Sequence, residues 1–129
     1  MAQGAVQCEE DIFCGINTAK DSNNMTDLEK KHLPVISAPE KVRAGEPFEV
    51  MVEVGKLKEH PLEPGHHVEF VELYAGHTYL GRMDFAGNMT YPTMRAVISL
   101  DHGHGSLRAF EHCNLHGTWQ YEAPIEVTE

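Results

Sequence analysis

The chain has 129 residues, long enough for one domain with a real core, and its 20 acidic against 10 basic residues give a net charge of −10. A field of that sign draws neither nucleic acid nor acidic lipid, which excludes both as partners. No apolar run approaches the roughly 20 residues needed to span a bilayer, and the N-terminal MAQGAVQCEEDIFCG is broken by acids where a leader peptide is apolar. The expected location is therefore the cytoplasm.

Residues 1–27 read as an N-terminal arm, with Cys8, Cys14, a polar NTAKDSNN tract and no sustained period. Three cysteines in a reducing compartment do not make a disulfide framework. Cys8 and Cys14 are half of a metal knot with no second half nearby, so they read as incidental thiols. Thr26-Asp27-Leu28-Glu29 can cap a short helical turn, which Pro34 ends.

From Pro34 the pattern is β. Val35 and Ile36 come first, followed by turns at Pro39 and at Ala44-Gly45-Glu46-Pro47. Phe48, Val50, Val52 and Val54 alternate with polar or longer side chains, the period of a half-buried strand. KLKEHPLEPGH, residues 56–66, is a Pro/Gly loop. Residues 68–74 and 78–85 predict a hairpin about Ala75-Gly76. After the 87–92 loop, Met94, Ala96, Ile98 and Leu100 alternate again. A turn at 102–105 leads into residues 107–110, and residues 119–127 form the last strand. About seven short strands with no long helix predict an all-β domain over 28–129, an immunoglobulin-like antiparallel β-sandwich.

The chemistry concentrates in the histidines. There are nine, at positions 32, 60, 66, 67, 77, 102, 104, 112 and 116, and one forms Cys113-Asn114-Leu115-His116-Gly117-Thr118-Trp119 with a thiol. A thiolate and an imidazole three residues apart suit one metal ion, with Trp119 as its cover. His32, His60, His66, Cys113 and His116 all fall at turns, and loops converging at one end of a sandwich would bring four imidazoles to one thiolate. Structural zinc is closed by four ligands, commonly rich in thiolate, whereas an imidazole-rich set with an open position suits redox iron or copper. His67 should point away from His66 on an extended segment. His77, His102, His104 and His112 read as surface or turn residues, and His102-Gly103-His104 is an incomplete pair with no third ligand beside it.

Three segments carry a specific resemblance: Lys31-His32-Leu33-Pro34, His60-Pro61 with His66-His67, and Cys113-Asn114-Leu115-His116-Gly117 with Trp119. In this order and spacing, from about residue 28 to 127, the chain resembles the superoxide reductases of the neelaredoxin/desulfoferrodoxin family. The resemblance implies a mononuclear iron with His32, His60, His66 and His116 as equatorial ligands and Cys113 as the axial one. It implies one-electron reduction of superoxide to hydrogen peroxide at the position opposite the thiolate, without dismutation to oxygen. Backbone N–H groups around Asn114–Leu115 would tune the sulfur, and Lys31 would attract the anion. A rubredoxin-like electron donor and a homo-oligomer, a tetramer before a dimer, are also implied.

Two departures from the family stand out. The common Glu-Lys-His reads here as Glu29-Lys30-Lys31-His32, so Lys30 holds the glutamate's place, and an extended segment would turn Glu29 away from the iron. The four-cysteine domain of two-iron members is absent, which implies one iron per chain. The competing readings are a copper- or iron-binding electron carrier and a metal-binding or interaction domain without catalysis. A blue-copper site needs His₂Cys and usually a Met shortly after the last His, and none follows His116.

Overall fold

The computed structural model describes residues 16–129. Cys8 and Cys14 lie outside the described residues. In chain order the elements are α1 (Asp27–His32), β1 (Pro34–Ser37), β2 (Lys41–Arg43), β3 (Phe48–Val54), β4 (Val68–Ala75), β5 (Thr78–Asp84), β6 (Thr93–Ile98), β7 (Ser106–Cys113), β8 (Gly117–Pro124) and β9 (Glu126–Thr128). Antiparallel pairing builds one sheet in the order β1-β3-β6 and a second in the order β5-β4-β7-β8.

Alternation decides which side chains fill the space between the sheets. Val50 and Val52 of β3 meet Val71, Leu73 and Ala75 of β4, together with Leu107 and Ala109 of β7, in one buried cluster. The β4–β7 register shifts between Val68 and Phe70. This extra residue keeps both Val68 and Val71 buried and sets Val68 opposite Cys113.

The two antiparallel sheets hold seven strands among the described residues, as expected, and a separate two-stranded sheet adds β2 and β9. Residues 119–127 do not form one strand, because Pro124 ends the β7–β8 ladder and lacks the N–H needed to continue it. The chain crosses over, and Glu126–Thr128 pairs in parallel with Lys41–Arg43, a strand the alternation does not reveal. No helix among the described residues is long and apolar enough to cross a membrane.

The helix α1 is only six residues long, too short to persist on propensity alone. Caps hold it at both ends. Thr26 Oγ1 accepts from Glu29 N at 3.1 Å, and Glu29 Oε1 accepts from Thr26 N at 2.9 Å, a complete capping box. The second Glu29 oxygen accepts from Lys20 N at 3.1 Å, tying residues 16–25 to the helix. Pro34 forces Leu33 out of the helical region, to ψ 127°, and so ends α1 at His32.

The amides of Thr26 and then Lys20 favour the ionised carboxylate, holding the Glu29 pKa below its ordinary 4.5. Glu29 therefore contributes stability that is complete above the unfolded-state pKa and is lost as pH falls through the folded one. Glu29→Gln is expected to lower the melting temperature at neutral pH. The gap to the parent should close as pH drops below the carboxylate range. Parallel melting curves at every pH would show that the carboxylate is not held as described.

Candidate metal centre

Four imidazoles and one thiol meet where β7 stops. His32 is the last residue of α1, His60 and His66 come from the loop between β3 and β4, Cys113 ends β7, and His116 sits in the turn to β8. Ligand-type atoms of His32, His60, His66 and Cys113 all lie within 4.8 Å of one another. His116 Nδ1 joins them at 3.2 Å from His32 Nε2 and 3.9 Å from Cys113 Sγ. The rings form a circuit, with His32–His60, His60–His66, His66–His116 and His116–His32 centroids 4.8, 4.7, 4.9 and 4.8 Å apart. The diagonal His32–His66 is 6.0 Å, and neighbouring ring planes are inclined by 68–88°.

The backbone decides which nitrogen faces inward. His32 Nδ1 lies 2.7 Å from the Leu28 carbonyl and His60 Nδ1 lies 2.8 Å from that of Pro61. A carbonyl only accepts, so each Nδ1 carries the proton and each Nε2 keeps a lone pair for the centre. The Nε2 atoms of His60 and His66 are buried with no hydrogen-bond partner among the described residues. Orphaned acceptors of this kind, aimed at a shared point beside a thiol, are what a metal ion would satisfy, so the donor set fits the iron that the sequence resemblance implies.

Burial pushes the His60 pKa down to about 4, so its ring is neutral at physiological pH. Burial likewise lowers His32 and His66. It raises the Cys113 thiol, while backbone N–H groups of His116 and Leu115 favour the thiolate. The amides at the sulfur are thus one residue further along than Asn114–Leu115. A metal taken up here displaces the thiol proton.

Several devices hold the geometry. Asn114 staples the two loops together: its Oδ1 accepts from His67 N at 2.8 Å and its Nδ2 donates to the Gly65 carbonyl at 3.0 Å. Trp119, expected as a cover, stacks on His32 at 5.1 Å and donates from Nε1 to the His116 carbonyl at 3.1 Å. Gly55 has φ +90°, and a Cβ there would stand 2.9 Å from His60 N, so the end of β3 packs on this loop only as glycine. His67 turns outward, its Nδ1 3.0 Å from the Glu63 carbonyl and its ring over Gly87.

The two lysines beside His32 separate. The Lys31 charge reaches His32 and His66 and lowers the pKa of both. Lys30 instead lines a cavity of about 270 Å³ with residues 22–25 and Leu57. The extended-segment argument for Glu29 does not hold, because Glu29 and His32 are three apart on a helix and share a side. Its carboxylate is nonetheless engaged by two backbone amides, while it borders a cavity of about 420 Å³ with His116 and Trp119.

Glu111 goes unnoticed in the sequence. It faces the core from the same side of β7 as Cys113, wholly buried, with both carboxylate oxygens lacking a hydrogen-bond partner among the described residues. Burial pushes its pKa up to about 9, so it is neutral at physiological pH. The parity Leu107, Ala109, Glu111, Cys113 is the signal that places it inside. His112 faces the other way, against Thr118 Oγ1 at 2.9 Å and Glu69 at 3.3 Å.

The desulfoferrodoxin family model matches residues 24–122. The superoxide reductase of Pyrococcus horikoshii is 37% identical over 107 residues, which cover 75% of this chain and 89% of that protein. The solved structure of superoxide reductase (neelaredoxin) from Ignicoccus hospitalis matches with a TM-score of 0.66 and 38% identity, over 74% of this chain and 80% of that one. Superoxide reductase from Nanoarchaeum equitans gives 0.67 and 32%, over 85% and 99%. With a family match across most of its length and relatives of this identity, the chain belongs to the desulfoferrodoxin family, among its superoxide reductases.

Proposed function

We propose that the chain reduces superoxide to hydrogen peroxide at a single iron held by His32, His60, His66 and His116 through nitrogen and by Cys113 through sulfur. The observation that supports this most directly is the pair of buried, unpartnered Nε2 atoms of His60 and His66 facing His32 Nε2, His116 Nδ1 and the Cys113 sulfur. Bound to that set, a ferrous ion would supply one electron, and superoxide with one electron and two protons would give hydrogen peroxide and no oxygen.

The chain's own groups do the rest. Cys113, fully buried, presents its sulfur from the core side; burial raises its thiol, the His116 and Leu115 amides offset part of that, and the bound metal would displace the proton. Lys31 stands at the rim as a local positive focus on a chain of net charge −10, drawing the anion in and holding a water that delivers a proton. Four imidazoles in a circuit favour this reading over a blue-copper carrier, which would leave two of them without a task. A rubredoxin-like one-electron protein is the proposed donor. The proposed setting is the cytoplasm, where Cys113 stays reduced. The proposed assembly is a homo-oligomer, a tetramer in preference to a dimer, for which exposed Tyr79 and Val97 offer apolar surface.

Zinc outcompetes ferrous iron for such nitrogen and sulfur sets, so the test uses protein loaded with iron under anaerobic conditions. Cys113→Ser should abolish the thiolate-to-iron charge-transfer colour of the oxidised protein. Changing His32, His60, His66 or His116 to Ala should each lower iron occupancy, while His104→Ala leaves it unchanged. Full occupancy and unaltered colour in the serine variant would refute the ligand assignment.

Lys31→Ala should slow the second-order reaction with superoxide by about tenfold and flatten its dependence on ionic strength, because the steering charge has gone. Iron content should be intact, and Lys30→Ala should change the rate far less. Stopped-flow or pulse-radiolysis measurement over a salt series decides it: equal salt slopes for the Lys31 variant and its parent would remove Lys31 from the mechanism.

A further inference from the structure

The pair His102-Gly103-His104 is preceded directly by Asp101, and the fold gathers this carboxylate with both imidazoles. Asp101 Oδ1 lies 2.7 Å from His102 Nδ1, and the His102 and His104 rings stack with centroids 4.4 Å apart and planes 27° from parallel. One ligand-type atom from each of Asp101, His102 and His104 can be chosen so that all three lie within 4.8 Å of one another. With metal–nitrogen and metal–oxygen bonds of about 2.0–2.2 Å, ligands around one ion stand roughly 3–4 Å apart, so a small contraction completes the set.

We propose that Asp101, His102 and His104 form a second metal site, open to solvent, for a late divalent transition ion of which zinc is the type. Two imidazoles and one carboxylate favour first-row transition ions over magnesium and calcium; ferrous iron also suits such a set, but the general affinity order places nickel, copper and zinc above it. Water fills the remaining positions, since Asp101 and His102 are exposed and His104 is half-buried. The acidic surface of the chain raises the local concentration of cations.

The loop is held for the purpose at both ends. Gly45 N donates to the carbonyl of buried Leu100 at 2.9 Å, and Ile125 N donates to that of Gly105 at 3.2 Å. Gly105 has φ +84°, a left-handed turn that brings the chain back into β7 directly after His104. The His104 carbonyl packs where a Cβ on Gly76 would stand only 3.0 Å away. The loop bends at Asp101 and His102, and the two imidazoles stack on one another. The group lies at the start of β7 and Cys113 at its end, about 23 Å apart at a strand rise of about 3.3 Å. An ion there stiffens the β6–β7 loop and takes no part in chemistry at the other end.

The test uses iron-loaded protein without an affinity tag, carrying Cys8→Ser and Cys14→Ser so that the arm's thiols do not bind the probe. Zinc titrated into the oxidised, ferric protein against a chromophoric indicator should reveal one additional zinc per chain, with iron content and visible spectrum unchanged and the melting temperature raised. His102→Ala and His104→Ala should each weaken that binding about tenfold or more, and Asp101→Asn by about tenfold. The double histidine variant should lose both the extra zinc and the rise in melting temperature while keeping its iron and its rate with superoxide. No additional zinc in the parent, or the same stoichiometry in the double variant, would overturn the proposal.

Discussion

Removing imidazole nitrogens and a thiol from water is the constraint around which this end of the sandwich is built. A buried polar atom without a partner costs on the order of 1–3 kcal/mol, and here the Nε2 atoms of both His60 and His66 lack one. Without something to coordinate, the fold would relax by letting those rings turn outward. For His60, as for His32, the other nitrogen is fixed: the Pro61 and Leu28 carbonyls accept from Nδ1–H, so rotating either ring would break a good hydrogen bond. The lone pairs face inward because the backbone leaves them no other direction.

Each contributing segment is fastened separately. A capping box makes six residues helical and delivers His32, proline and Gly55 shape the loop of His60, and Asn114 ties the His66 loop to the turn after Cys113. Trp119 then spans His32 and His116, which belong to different elements. The sheets supply the frame: β7 carries Cys113 to the rim, and the extra residue near Glu69 seats Val68 beneath it.

Most of the frame is legible in the sequence because burial of one sheet face writes itself as alternation, as in Phe48–Val54. That His32, His60, His66, Cys113 and His116 meet is legible from their spacing within proline- and glycine-bounded turns. Other features leave no local trace. Thr26 and Glu29 do mark the start of α1 in the sequence, but six residues show no period to fix its length, so Lys30-Lys31-His32 reads as extended when it is helical. The extra residue between Val68 and Phe70 has no compositional marker, and the parallel pairing of β2 with β9 joins segments some 85 residues apart. Glu111 contradicts the polarity rule at a position its strand parity makes internal.

His32 and His116 touch across 84 residues of sequence. Between them lie β1 to β7, which make the whole β1-β3-β6 sheet and three strands of the other, so in the folded chain the two rings meet only through long-range pairing. Loop closure of that length comes late on the folding route. A nascent or partly unfolded chain therefore offers separate histidines and a lone thiol, never the assembled circuit. Any ion that needs all five groups is withheld from incomplete chains and locks only finished ones, which makes topology itself a checkpoint on loading with a redox-active metal.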